Sequence, residues 1–170
     1  MTSKNAGSAL LAKDDYRAVN ALLSAYCRCL DTDKLEAWPD FFVADGLYKV
    51  LSRENVELGL PAPLVYYYSR GMMQDRVTAI RDALTYEPVY TRHLTSGLHV
   101  EPDNAAPDAA AFVARSDFAI YQTTEEGVTR LFSVGEYQDR IVRDGDTLRF
   151  AERTVVMDSF GVQNLIAIPL

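Results

Sequence analysis

Apolar side chains near the start of the chain fall at three- and four-residue steps: Tyr16, Val19, Leu22, Leu23, Tyr26 and Leu30. That spacing marks one face of a helix. It predicts a helix from about Asp14 to Leu30, with Asp14 or Asp15 in a first turn where a carboxylate opposes the helix dipole. A second, short helix is expected from Asp33, which can cap it, with Glu36 three residues on completing a capping-box pattern. Pro39 and then Asp45-Gly46 end it. Trp38, Phe41 and Phe42 gather beside it and read as a core plug rather than a ligand cage. Leu47 to Arg53 follows as a first strand. Gly59-Leu-Pro-Ala-Pro63 must be irregular, because two prolines remove backbone donors. Leu64 to Ser69 is a second, tyrosine-rich extended piece, and beyond Gly71 the set Met73, Val77, Ile80 and Leu84 restores helical spacing for a third helix that ends before Pro88.

From Tyr90 onward the pattern alternates with period two. Turns are expected at Pro102 to Asp108, Glu125-Glu-Gly127 and Asp144-Gly-Asp146, the last a compact hairpin in which glycine tolerates positive φ. Phe112, Ala114, Phe118 and Ile120 share one face while Arg115 and Asp117 share the other, so this strand is half buried over a long reach. Gly135 interrupts the next strand, where a bulge or bend would let a long sheet curl. The order is helix, helix, strand, strand, helix, then four long strands joined by hairpins. It predicts an α+β fold in which a curved antiparallel sheet wraps on helices collected at one face. Without repeats or low-complexity linkers, residues 13–170 read as one domain behind a flexible N-terminal segment, 1–12.

Composition narrows the function classes. The 170 residues, 48% of them hydrophobic, can fill a core without disulfide staples. A net charge of -7 sets a phosphate backbone against net repulsion, which argues against a nucleic-acid partner. No window approaches the ~20 apolar residues of a membrane span, and Met1 to Lys13 lacks a signal-peptide core. The expectation is a soluble, cytoplasmic protein. Cys27 and Cys29, two residues apart on a helix, point in nearly opposite directions, one buried and one near the surface.

Candidate chemistry is sparse. His93 and His99 are the only histidines, too few for a Rieske cluster together with a mononuclear iron, and a straight strand would hold them about 20 Å apart. A shared metal would require a sharp bend at Gly97. Neither a Gly-x-Ser-x-Gly elbow nor a glycine-rich nucleotide loop is present. Asp31 with His93 would make a carboxylate–imidazole pair suited to proton transfer if the fold brings the helix end to the strand. The competing reading gives Asp31 a capping role and His93 a core or interface hydrogen bond. Tyr66, Tyr67 and Tyr68 alternate faces if extended, so either Tyr66 and Tyr68 or Tyr67 fills the interior. With Arg70 they form a candidate subunit interface, because a large ring with a polar tip suits such a surface. The apolar tail Leu165-Ile-Ala-Ile-Pro-Leu170 should pack on its own sheet or on a neighbouring subunit.

Several stretches carry a family resemblance. They are Trp38-Pro-Asp-Phe-Phe-Val-Ala-Asp-Gly-Leu-Tyr48, Arg53-Glu-Asn-Val-Glu-Leu-Gly-Leu-Pro61, Asp75-Arg-Val77, Tyr90-Thr-Arg-His-Leu94 and Arg149-Phe-Ala-Glu-Arg-Thr-Val-Val-Met-Asp158. From about Tyr16 to its end the chain resembles the small (β) subunits of Rieske-type aromatic-ring-hydroxylating oxygenases. It is most similar to the salicylate 5-hydroxylase and terephthalate dioxygenase branch, whose large subunits oxidise aromatic carboxylates. The resemblance implies a nuclear-transport-factor-2-like (cystatin-like) cone and a noncatalytic role in an α3β3 heterohexamer with a larger α subunit. The Rieske 2Fe–2S cluster and mononuclear non-haem Fe(II) would lie in that α subunit. Electrons would come from NAD(P)H through a separate reductase, with or without a ferredoxin. The same fold class also contains stand-alone, cofactor-free isomerases and dehydratases, and in that alternative Asp31 and His93 are the catalytic pair.

Overall fold

A computed structural model of the chain describes residues 13–60, 62–82, 89–105, 111–158 and 168–170. Helix α1 spans Lys13–Asp31 and is followed by a 3-10 helix, Leu35–Phe41. Then come β1 (Phe42–Ser52), a one-turn helix α2 (Arg53–Glu57), β2 (Val65–Tyr67) and α3 (Arg70–Asp82). Four long strands complete the order: β3 (Val89–Pro102), β4 (Ala111–Thr124), β5 (Thr129–Asp144) and β6 (Thr147–Met157). The predicted 1–12 segment, the end of the third helix after Asp82, part of the Pro102–Asp108 turn and most of the apolar tail lie outside the described residues.

All six strands belong to one sheet in the order β2-β1-β6-β5-β4-β3. The hairpin-linked strands β3 to β6 pair antiparallel as the alternation predicts, and the turns at Gly127 and Gly145 take positive φ, 84° and 60°. The sheet is nevertheless mixed, because β1 lies parallel to β6. That pairing joins residues about a hundred positions apart, and nothing in the local alternation of either strand states its direction. Four register shifts interrupt the ladders and let the sheet curve: between Phe42 and Leu47 on β1, between Ser96 and His99 on β3, and where Phe132 on β5 and Ala151 on β6 are each unmatched by their hairpin partner. An extra residue on one strand kinks it and increases its twist. Gly135 is not itself at a shift. A Cβ there would lie 1.9 Å from the Val156 carbonyl oxygen and 3.0 Å from Phe118 Cζ, so glycine lets β6 and the Phe118 ring approach closely.

The first helical segments depart from expectation in three places. Asp33 caps no helix: it sits at φ 54° and its carboxylate and carbonyl receive Arg81 from α3. Glu36 also binds Arg81 rather than returning to a cap. Pro39 lies inside the 3-10 helix rather than at its end. Cys27 and Cys29 are both buried, because the end of α1 is held between the sheet and the 3-10 helix, and Cys29 Sγ donates to the Lys34 carbonyl at 3.1 Å.

The helices cover one face of the sheet. Cross-strand rows on that face run Phe112–Ile141–Phe150–Phe42, Ala114–Asp139–Arg153–Tyr48–Tyr67 and Ser116–Tyr137–Val155–Val50–Val65. Against them pack Val19, Leu23, Tyr26 and Leu30 from α1, Trp38, and Met73, Val77 and Ile80 from α3. Edge-to-face contacts knit Tyr26, Trp38, Phe42 and Tyr48 together, with Tyr26 also set edge-on to Phe150. The aromatic plug read from Trp38 and Phe42 is thus core, and the cone is filled at its centre.

Candidate functional site

Asp31, the last residue of α1, meets His93 on the inner face of β3, with Asp31 Oδ1 2.6 Å from His93 Nδ1. The fold therefore brings this pair together. Both Asp31 oxygens also accept the His93 backbone N–H at 3.1 Å. Since β3 is an edge strand, this N–H lies on its unpaired side, and the carboxylate satisfies a donor that would otherwise face solvent or another chain. A carboxylate acceptor fixes Nδ1 as the protonated ring nitrogen. Nε2 is buried and meets no partner among the described residues. Asp31 lines a cavity of about 520 Å³ together with Leu30, Ile80, Arg81, Tyr90 and Ile168 among others, but His93 is not in its wall and its side chain is 1% exposed. The pair ties α1 to the sheet edge. It offers no imidazole nitrogen to a ligand in that cavity.

The strongest electrostatic feature was not anticipated from the sequence. Arg153 on β6 and Asp139 on β5 are direct cross-strand neighbours on the inner face, with side chains fully buried. The guanidinium donates through Nε and Nη2 to the two carboxylate oxygens at 2.8 and 2.9 Å. Its Cζ lies 4.0 Å from the Tyr26 ring centroid, 4.2 Å from Tyr137 and 4.4 Å from Phe150. Burial pushes the Asp139 carboxyl up and opposes the charge on Arg153, while each charge favours the other, and Arg153 ends well above its ordinary range. These effects disagree about Asp139. The two-pronged geometry decides the matter in favour of an ionised pair, since both oxygens accept charge-assisted bonds. Burial likewise pushes the Tyr26 hydroxyl up to about 12 and those of Tyr48 and Tyr137 well above their usual value, so these phenols stay protonated. A signal existed in the sequence: Arg153 is in phase with Val155 and Met157, and Asp139 with Tyr137 and Ile141, so each strand carries one charge on its apolar stripe.

The tyrosine run divides as alternation requires. Tyr67 turns inward and stacks on Tyr48 with ring centroids 6.0 Å apart, whereas Tyr66 and Tyr68 turn outward with their rings 6.2 Å apart. Arg70 also turns inward, its guanidinium donating to the Phe42 carbonyl. Just before the outward tyrosines in the chain, Val56, Leu58, Leu60 and Leu64 are exposed as well. This stretch is braced internally: Ser52 Oγ caps α2 by accepting the Asn55 N–H at 3.2 Å, and the Asn55 amide donates to the Ala62 carbonyl at 2.8 Å.

The histidines cannot share a metal. His93 faces the core, whereas His99, beyond the Gly97 bulge, is 69% exposed on the outer face and binds Glu101. The bend that could have joined them instead sends them to opposite sides. Among the described residues no group of three histidine, cysteine or acidic side chains could hold a metal ion, so a Rieske cluster or mononuclear iron has no fitting donor set there. No helix among them is long and apolar enough to cross a membrane.

With a filled cone and a braced apolar surface in place, comparison with known proteins is decisive. Residues 12–154 match the SnoaL-like domain family. The anthranilate 1,2-dioxygenase small subunit of Burkholderia cepacia is 36% identical over 149 residues, 88% of this chain and 90% of that one. This chain belongs to the small subunits of aromatic-ring-hydroxylating dioxygenases. Another member of that small-subunit family, β subunit 1 of the terminal oxygenase component of terephthalate 1,2-dioxygenase from Comamonas sp, is 36% identical over 152 residues, 89% of this chain and 96% of its own. In three dimensions the small subunit superposes on the β subunit of an inferred aromatic-ring-hydroxylating dioxygenase from Novosphingobium aromaticivorans DSM 12444 with a TM-score of 0.81. The two share 36% identity over 93% of this chain and 98% of that one. The small subunit is thus a noncatalytic member of an oxidoreductase complex with a larger partner, and the stand-alone isomerase or dehydratase alternative built on Asp31 and His93 gives way.

Proposed function

We propose that this small subunit is the structural β subunit of a Rieske non-haem iron oxygenase that hydroxylates an aromatic carboxylate, and that its task is to organise the catalytic α subunits. The observation that carries this reading is the distribution of polar and apolar groups. Among the described residues the Asp139–Arg153 pair is held by two bonds inside the core, while six large apolar side chains between Val56 and Tyr68 stand exposed on an internally braced segment. Taken at roughly half of each side chain, they present on the order of 600 Å² of apolar surface, the upper end of a monomer's largest patch. Such a surface is built to be covered. Of the candidate interface, Tyr66 and Tyr68 make the contact, while Tyr67 and Arg70 hold the segment to the core.

In this reading residues 13–170 act as one cytoplasmic unit in an α3β3 heterohexamer. The α subunit holds the 2Fe–2S cluster and the Fe(II), and a reductase supplies electrons from NAD(P)H. The substrate class rests on the relatives named for anthranilate and terephthalate, both aromatic carboxylates. Purification through a tag on this chain from its own host, grown on aromatic acids, tests the reading. The expected product is a brown assembly with a larger iron–sulfur chain at a one-to-one ratio. A colourless, iron-free homo-oligomer would refute it.

A further inference from the structure

A second polar constellation lies inside the fold, around Leu170. Tyr26 comes from α1, Trp38 from the 3-10 helix and Tyr48 from β1, and all are at most 1% exposed. Tyr26 Oη donates to the main-chain oxygen of Leu170 at 2.8 Å. The Leu170 N–H donates to Tyr48 Oη at 2.8 Å, and that hydroxyl lies 3.4 Å from the same Leu170 oxygen. Trp38 Nε1 donates to Tyr26 Oη at 3.2 Å and holds it in place. The Leu170 side chain joins the core cluster at 3% exposure, with Ile168 packed partly against it.

Both backbone groups of one residue are therefore read by side chains from remote elements, and its apolar side chain fills a pocket. That division of labour is how a cleft binds a peptide: main-chain hydrogen bonds hold it and a pocket selects the side chain. The seat is built independently of its occupant. Tyr26 is fixed by Trp38 and by the Arg153 guanidinium over its ring, and Tyr48 by stacking with Tyr67. Because burial keeps both hydroxyls protonated, they remain donors to a carbonyl.

We propose that this seat is a binding site for a short apolar peptide segment, held through its main chain, and that Ile168–Leu170 is the occupant that closes it. The ligand class follows from the contacts: an aliphatic side chain of leucine size flanked by an amide N–H and a carbonyl. Vacating the seat strips the Leu170 main chain from two buried hydroxyls.

Deleting Ile168–Leu170 from the otherwise intact chain tests this. Trp38 is the only tryptophan, so its emission reports the seat directly. The truncated chain should melt roughly 10 °C lower, from the cavity and the orphaned hydroxyls together, and its emission should move to the red. Millimolar N-acetyl-Ile-Pro-Leu-amide should restore both in a saturable way, whereas N-acetyl-Gly-Ser-Asp-amide should restore neither. Unchanged emission on deletion, or a folded truncated chain that the peptide fails to restore, would overturn the proposal. Should the truncated chain not fold, Tyr48→Phe decides. Loss of the hydroxyl that receives the Leu170 N–H should accelerate exchange of that amide proton at least about tenfold, followed with ¹⁵N-leucine, and an unchanged rate overturns the assignment.

Discussion

Replacing Arg153 with methionine should be among the most damaging single changes in this fold, and the damage should be reversible by a second change. Arg153→Met leaves the Asp139 carboxylate fully buried without the two bonds it receives at 2.8 and 2.9 Å. Breaking a buried pair by removing one partner costs about 3–5 kcal/mol. At a few degrees per kcal/mol for a chain of this size, the melting temperature should fall by on the order of 10 °C. Replacing both residues, as Asp139→Leu with Arg153→Met, removes two desolvated charges together and should recover most of the loss, since apolar side chains can fill the same space. The acid dependence has a defined sign. Burial already pushes the Asp139 carboxyl up, and Arg153 is what opposes this. In Arg153→Met the folded-state value therefore rises further above the unfolded one. The folded variant then takes up a proton more readily than its unfolded chain, so its penalty relative to the parent is full at neutral pH. It shrinks as the pH falls towards the unfolded carboxyl value of about 4. Urea titrations followed by circular dichroism at pH 7 and pH 5 measure both effects. A loss under about 1 kcal/mol at pH 7, or a double variant as unstable as the sum of the two singles, would refute a buried ionised pair.

Three further outcomes follow from other parts of the molecule. Asp31→Ala removes the acceptor of both the His93 backbone N–H and Nδ1. It should cost about 2–3 kcal/mol of stability, yet leave turnover of the assembled oxygenase within a few-fold; a loss of several orders of magnitude in an intact assembly would return this pair to catalysis. Tyr66→Ser with Tyr68→Ser should change the stability of the isolated chain by less than about 1 kcal/mol but weaken association with the larger subunit by about 10- to 100-fold, read by sedimentation or light scattering; unaltered affinity would move the interface elsewhere. Gly135→Ala places a Cβ 1.9 Å from the Val156 carbonyl oxygen, so it should cost about 3 kcal/mol or more, and a melting curve like the parent's would show that β6 can withdraw.

Periodicity determined what is local. The stripe from Tyr16 to Leu30 gave α1, the alternation through Phe112 and Ile120 gave the inner face of β4, and Asp144-Gly-Asp146 gave its hairpin, because neighbouring residues alone set which face a side chain occupies. The two histidines and the lack of cysteine–histidine ligand pairs were legible in the same way, since counting donors requires no coordinates. What the sequence could not state is which distant residues meet. The parallel β1–β6 pair and the bonds that Tyr26 and Tyr48 make to Leu170 join segments more than a hundred residues apart, and the bulges at Phe132 and Ala151, though within hairpins, interrupt the alternation without a signal in it. Asp31 and His93 show the boundary most clearly. Their chemistry suits proton transfer as residue types, and the fold does place them 2.6 Å apart. Only the tertiary structure turned them into a brace, by pointing the carboxylate at an edge-strand N–H and closing the core over the imidazole. The meaning of a polar side chain depends on access and partners, and packing sets both.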